Sequence, residues 1–215
     1  MAKLTWDGVG EKKYSLGVSK GVLYKWDATQ NKWLGYAWNG LTSVAQSPDG
    51  GDANDLYADN ILYASIRGTE KLSGSIECYD YPPEFDSCIG DTALATGITI
   101  GQQTKDSFCF CYRSETGESS NPYVSYKLHL VYNCTAAASE KTYETINDSP
   151  DTEPYSFDYD SVPVPVTGHK ATSVLEIDAS KIQTAKMTII ENALYGTENT
   201  EAYLPLPDEL MTLIA

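Results

Sequence analysis

The sequence predicts a mostly-β domain: two packed β-sheets, sandwich- or barrel-like, with one or two short flanking helices and extended loop and terminal arms. Three observations predict it. The chain holds 16 tyrosines and many valines, side chains that suit the pleated, half-buried surface of a strand. Apolar and polar residues alternate in short runs. Gly, Pro, Asn and Asp punctuate those runs at short spacing, as turns between strands do. With 215 residues, 41% of them hydrophobic, the chain can bury one real core, so 1–215 reads as a single domain.

In chain order, Tyr14–Trp26 reads as a strand with a glycine kink, Asp27–Asn31 as a turn, and Lys32–Gln46 as the return. Trp26 and Trp33 then face each other across a hairpin. Ser47–Asp55, "SPDGGDAND", reads as a flexible acidic loop. Leu56–Gly68 and Glu70–Tyr81 follow as strands. In the second, Leu72, Gly74, Ile76 and Cys78 share one face, while Lys71, Ser73, Ser75, Glu77 and Tyr79 share the other. Pro82–Gly90 starts with Pro and ends with Gly, the punctuation of a short helix. "DSFCFCYR" (Asp106–Arg113) is nearly apolar on both faces, so it is a central strand.

Tyr123–Thr135 alternates, with Tyr126, Leu128, Leu130 and Tyr132 on its apolar face. Ala136–Asn147 is either a short helix or an extended linker. In Pro154–Val166, Tyr155, Phe157 and Tyr159 alternate against Ser156, Asp158 and Asp160, and Pro163 and Pro165 demote the end to an edge strand. Lys170–Ser180 is a further strand. Ser180–Gly196 places Ile182, Ala185, Ile189 and Ala193 at helical spacing, with Gly196 as a stop. The ending "EAYLPLPDELMTLIA" is apolar and proline-kinked. A tail of that kind docks on its own core or on a neighbour.

Thirty acidic residues against 15 basic ones give a formal charge of −15. That excludes a surface built to grip nucleic-acid phosphates and suits one that repels a polyanion. No apolar run approaches the length of a membrane span, and "MAKLTWDGVGEKKYSL" has no signal core. The expectation is a protein kept in a cytoplasm, with its five cysteines as free thiols.

The search for chemistry returns little. His129 lies on the polar side of its strand and His169 in a turn, each without ligands at metal spacing. Cys109 and Cys111 share a strand face and read as small buried residues. Asp49–Asp55 fails the calcium-loop pattern, because Gly51 and Ala53 stand where ligands belong. Phosphate-loop, dinucleotide and nucleophile-elbow patterns do not occur. Acids are too abundant for any pair of them to signal a glycoside hydrolase. Trp26, Trp33 and Trp38 could form a sugar platform, which keeps a carbohydrate-binding or adhesin-like β-sandwich as the alternative. The leading expectation is a protein that works by assembling, with no catalytic site, metal or cofactor.

"LYADNILYASI", "EKLSGSIECYDYPPEFDSCIG", "FCFCYRSETG", "SVLEIDASK" and "YLPLPDELMTLI", in that order and spacing, resemble the major tail protein, or tail tube protein, of long-tailed, non-contractile bacteriophages. So does "YKLHLVYNCTAAASEKTYETINDSPDTEPYSFDYDSVPVPVTG". The resemblance runs from about Val18 to the end. It implies hexameric rings stacked into a tube whose lumen conducts double-stranded DNA into the host. It implies self-assembly, a tape-measure protein inside the tube, and tail terminator and distal tail proteins at its ends. Assembly in the host cytoplasm and residence in the virion tail follow. A ring of six would carry about −90 in formal charge.

The resemblance also implies roles for segments. The stretch of about 46–60, with Ser47, Asp49, Asp52, Asn54, Asp55, Tyr57 and Asp59, would be an inter-ring loop. The N-terminal arm, about 1–13, and the C-terminal arm, about 197–215, would clasp neighbours, the latter through Tyr203, Leu204, Leu206, Leu210 and Leu213. Pro82–Gly90 would lie outside the sheet with Phe85 and Ile89 inward. Lumen-facing candidates are Ser73, Ser75 and Glu77 first, then Lys127, His129 and Asn133.

Overall fold

A computed structural model describes residues 6, 8, 12–51, 53–68, 70–119, 121–137, 142, 145 and 154–215. Twelve strands and three helices are formed among them. The strands are β1 (Lys13–Asp27), β2 (Lys32–Trp38), β3 (Leu41–Asp49), β4 (Ala53–Ala58), β5 (Ile61–Arg67) and β6 (Lys71–Cys78), then β7 (Thr92–Ala95), β8 (Ile98–Ile100), β9 (Phe108–Glu118), β10 (Asn121–Ala136), β11 (Tyr155–Ser161) and β12 (Val174–Asp178). The helices are α1 (Asp86–Ile89), which continues a 3-10 turn over Pro83–Phe85, α2 (Thr184–Tyr195) and α3 (Pro207–Leu213).

Eight strands form one antiparallel sheet in the order β2-β1-β9-β10-β11-β6-β3, with β12 also on β10. β10 makes this sheet into two layers. Its middle, Lys127–Val131, pairs with β12, and its last residues, Cys134–Ala136, pair with β11. Between them the register to β9 shifts, and Asn133 takes a positive φ of 47°. The strand bends there, as bulged strands do, and swings β11, β6 and β3 over the face of β1 and β9.

The two layers enclose one core. Phe110 meets Tyr159 edge-to-face at 5.0 Å, and Phe85 sits among Trp38, Phe108, Phe157 and Tyr81. Leu72, Ile76 and Cys78 of β6 point into it as their alternation predicts. A second core lies on the far face of β9 and β10. There Cys109, Cys111, Leu128, Leu130 and Tyr132 pack against Met187, Ile190 and Leu194 of α2 and against Leu204 and Leu210. β9 is therefore buried on both faces, as its composition requires.

Several expectations are corrected. Lys32–Gln46 is not one return strand. Gly40, at φ 70°, breaks it into β2 and β3, which belong to different layers; its carbonyl accepts from Tyr79 N at 2.8 Å. Ser47–Asp49 is the end of β3, not loop, paired with Ser73–Lys71. Leu56–Gly68 is not one strand either. Asp59 and Asn60 both have positive φ and make the tight turn of the β4–β5 hairpin. Pro82–Gly90 does not lie outside the sheet: Phe85 is fully buried between the layers and plugs their end. Pro163 and Pro165 fall beyond β11, which is flanked by β10 and β6 and is no edge. The buried stripe of α2 is Met187, Ile190, Ala193 and Leu194, while Ile189 is exposed. Its larger side chains, not the spacing of Ile182 and Ala185, decide which face the helix buries.

All five cysteines are free and buried. Burial pushes their thiol pKa values up, to about 11 at Cys88 and about 12 at Cys109 and Cys111. Cys78 and Cys134 move the same way for the same reason.

Replacing Phe85 with Ala empties the plug where four aromatic partners converge. A loss of about 3–5 kcal/mol in unfolding free energy is expected, measured by guanidinium denaturation.

Candidate functional site

Burial and register separate the two faces of the β3–β6–β11 layer. Even-numbered residues of β6 point into the core, and their neighbours point out. β6 pairs with β3 as Ser43–Glu77, Ala45–Ser75, Ser47–Ser73 and Asp49–Lys71. It pairs with β11 as Ser156–Glu77, Asp158–Ser75 and Asp160–Ser73. The outer face is thus a grid of serines and alanine bearing Asp49, Glu77, Asp158 and Asp160 against Lys71. Its side chains are mostly small hydroxyls, and a shallow hollow of about 340 Å³ lies over Ser73, Ser75, Asp158 and Asp160. Ser43 donates to Glu77 at 2.8 Å and Ser73 to the Ser47 carbonyl at 3.3 Å.

Gly74 lets this layer close. Tyr159 crosses it on the core side and donates to the Ala45 carbonyl at 3.2 Å; a Cβ at Gly74 would overlap both groups. The Tyr159 ring occupies the space of the missing side chain.

Ser73, Ser75 and Glu77 are therefore brought together on one face, joined by Ser47 and Asp49. Lys127 and His129 are elsewhere. They lie on β10 in a groove of about 420 Å³ with Val18, Val44, Tyr112 and Glu176, and Ser43 at the end of the grid also borders it. Asn133 belongs to neither group; it is the bend of β10, its N–H directed at Cys109 Sγ and its carbonyl accepting from Val162. Asn54, Asp55, Tyr57 and Asp59 sit on the β4–β5 hairpin, which pairs with no other strand among the described residues and exposes Leu56, Tyr57, Ile61, Leu62, Tyr63 and Ile66. Asp52 and the N-terminal arm, apart from a few residues, lie outside the described residues, as does most of Ala136–Asn147.

The C-terminal arm is divided. Leu204 and Leu210 are buried in this chain's own second core. Leu204 N donates to Trp33 O, Gly35 N to Ala202 O, and Tyr132 OH to Pro205 O. Tyr203 bridges to Leu34 and carries the Lys32 ammonium over its ring. Leu206 stays exposed and Leu213 half-exposed.

The groove holds an arrangement with the outline of a nucleophile and base. Ser114 Oγ is 2.8 Å from His129 Nε2, and His129 Nδ1 is 3.8 Å from Glu176. The last distance is too long for a hydrogen bond. Glu176 is engaged by Lys127 at 2.7 Å, His129 is stacked on Tyr112 at 4.6 Å, and Tyr112 accepts from Gln46. The cluster ties β9, β10, β12 and β3 together. Among the described residues no group of His, Cys, Asp and Glu is placed to hold a metal ion, and no helix is long and apolar enough to cross a membrane. The tryptophans form no platform: Trp26 packs edge-on to Trp33 at 5.4 Å, and Trp38 is buried, donating to Asp80 O.

The fold is thus two β layers with a polar outer face, two projecting hairpins and a helix on its back. The sequence model for phage tail tube proteins matches residues 35–213, and the chain belongs to that family. It is a structural and not an enzymatic protein, a component of the virion tail that assembles with other tail components into a tube. No curated protein matches the sequence.

Asp158 and Asp160 were visible as the polar side of an alternating strand, but only the pairing of β11 with β6 puts them beside Glu77. Ser114, Tyr112 and Glu176 carried no sequence signal, since they meet His129 of β10 from two other strands, β9 and β12.

Burial, opposed by Glu176, holds the His129 pKa below its ordinary value of 6.5. The unfolded chain then takes up a proton at higher pH than the folded one. Stability should fall as pH drops through about 6.5 and level off below the depressed folded value. His129→Gln should flatten that portion of the curve, read from thermal melts between pH 5 and pH 8.

Proposed function

We propose that this chain forms the wall of the tail tube as hexameric rings stacked end to end, with the outer face of β3, β6 and β11 toward a lumen that conducts double-stranded DNA. The grid of Ser43, Ser73, Ser75, Glu77, Asp158 and Asp160 carries the reading. A conduit for a polyanion needs a wall that offers few cations and no deep side-chain relief. Fixed negative charge keeps phosphates from condensing on it. Its reach is limited to about 10 Å by salt, so the repulsion acts on DNA near the wall.

The β4–β5 hairpin supplies the contact between rings. Its exposed Leu56, Tyr57, Leu62 and Tyr63 have no partner strand or helix beyond the hairpin among the described residues, and an isolated hairpin gains stability only when something covers it. Leu206, Met211 and Leu213 are the part of the C-terminal arm left for a neighbouring subunit, because Leu204 and Leu210 are already buried. A tape-measure protein inside the tube, and terminator and distal tail proteins at its ends, complete the set of partners.

Negative-stain electron microscopy of the purified protein over rising concentration should show rings or tubes with a central hole; small isolated particles at every concentration, with and without a tail-tip complex, would remove the reading. In tubes carrying Glu77→Lys, Asp158→Lys and Asp160→Lys together, assembly should persist while double-stranded DNA is retained at low salt and released at high salt. Equal DNA retention by wild-type and triple-variant tubes would place that face away from the lumen.

A further inference from the structure

The β7–β8 hairpin plays no part in the wall or in the inter-ring contact described above. Among the described residues its strands pair only with each other, Thr92 with Ile100, Ala93 with Thr99 and Ala95 with Ile98. Every residue of both strands is exposed, and Leu94, Ile98 and Ile100 are 68%, 56% and 38% accessible. Such a hairpin is marginal in water by itself.

Its base is nevertheless held firmly. Gln103 N donates to Gly90 O at 2.9 Å and Asp106 N to Ser87 O at 3.1 Å. Lys25 Nζ donates to Ser87 Oγ at 2.6 Å, Ser87 Oγ donates to Asp106 at 2.7 Å, and Lys105 Nζ donates to Ala136 O at 2.8 Å. The hairpin is thus a projection fixed to β1 and β10. Natural edge strands guard themselves with charge, proline or a cover. From Thr92 to Thr104 there is no charged residue and no proline.

Charge decides what can cover it. Two copies of a chain carrying −15 repel each other, and they approach at least cost where neither presents a carboxylate. The β4–β5 arm carries Asp55 and Asp59, and 138–153 carries Glu140, Glu144, Asp148, Asp151 and Glu153; the β7–β8 hairpin is neutral throughout. We propose that this hairpin is a contact surface for a second copy of this chain, which covers Leu94, Ile98 and Ile100 when the tube forms. The proposal rests on the tube reading above.

Two measurements on the full chain test it. The first is amide hydrogen exchange of wild-type protein, dispersed and assembled. Amides of 92–100 should exchange fast when dispersed and at least tenfold more slowly when assembled. The second is the assembly threshold of Ile98→Lys and Leu94→Glu by sedimentation, with thermal melts as the folding control. Both side chains are exposed, so the melting temperature should hold while the threshold rises at least tenfold.

Unchanged exchange on assembly overturns the proposal, as does an unchanged threshold in folded variants. Protection already present in the dispersed chain assigns the cover to this chain's own segments; protection appearing only with another tail protein assigns it to that protein; either overturns the proposal. If a variant fails to fold, the wild-type exchange result decides alone. A wild type that never assembles, alone or with the other tail proteins, overturns the tube reading and this surface together; one that assembles without protecting 92–100 overturns this surface only.

Discussion

A strand pair with no wet face must be covered twice, and the pairing of β9 with β10 imposes that requirement on the rest of the chain. Phe108, Phe110 and Tyr112 point one way and Cys109 and Cys111 the other, while Leu128 and Leu130 join the cysteines. Burying only one side would leave several large apolar side chains in water, at about 1.5–3 kcal/mol each. The chain meets the first demand by bending β10 at Asn133, so that the sheet folds over itself. It meets the second with α2 and the C-terminal segment. The sandwich, the back helix and the docked tail are three answers to one constraint.

The ends of the sheet are handled differently. β2 would present a bare edge, but the segment around Tyr203 lies along it and takes up its Gly35 N–H and Trp33 carbonyl. The fold thus spends its own C-terminus on closing one edge. β3 ends the path at the other side, with Pro48 and Asp49 near its terminus, residues that discourage indiscriminate strand addition. Backbone hydrogen-bonding capacity is rationed in this way, so that association proceeds through chosen surfaces rather than through any exposed strand.

Much of this was legible in the sequence because the signals were local. The two-sided apolarity of "FCFCY" marked a central strand, and the alternation around Leu72–Cys78 separated core from outer face correctly. The Trp26–Trp33 pair followed from a turn of the right length. Breaks inside strand-like runs were not legible: Gly40 and Asp59-Asn60 reverse the chain through positive φ, which sequence alone does not distinguish from a kink or a loop. Phe85 was expected inward from a helix outside the sheet, yet it fills the end of the sandwich, because its place depends on where Trp38, Phe108 and Phe157 meet. The acidic face was half visible for the same reason. Each strand announced its polar side, but only the β3–β6–β11 register placed those sides on one surface.

The five buried thiols have a consequence for how the particle ages. Disulfide exchange and attack on peroxides both proceed through the thiolate. Burial pushes the Cys109 and Cys111 thiols up to about 12, so both stay protonated at neutral pH, and no solvent reaches them. A virion component must endure air, metals and oxidants for long periods with no reductase to repair it. Accessible thiolates on neighbouring subunits would join them covalently, and each chain brings five thiols. Here the sulfurs serve as small, dense filling, and the assembled polymer stays noncovalent for as long as its subunits stay folded.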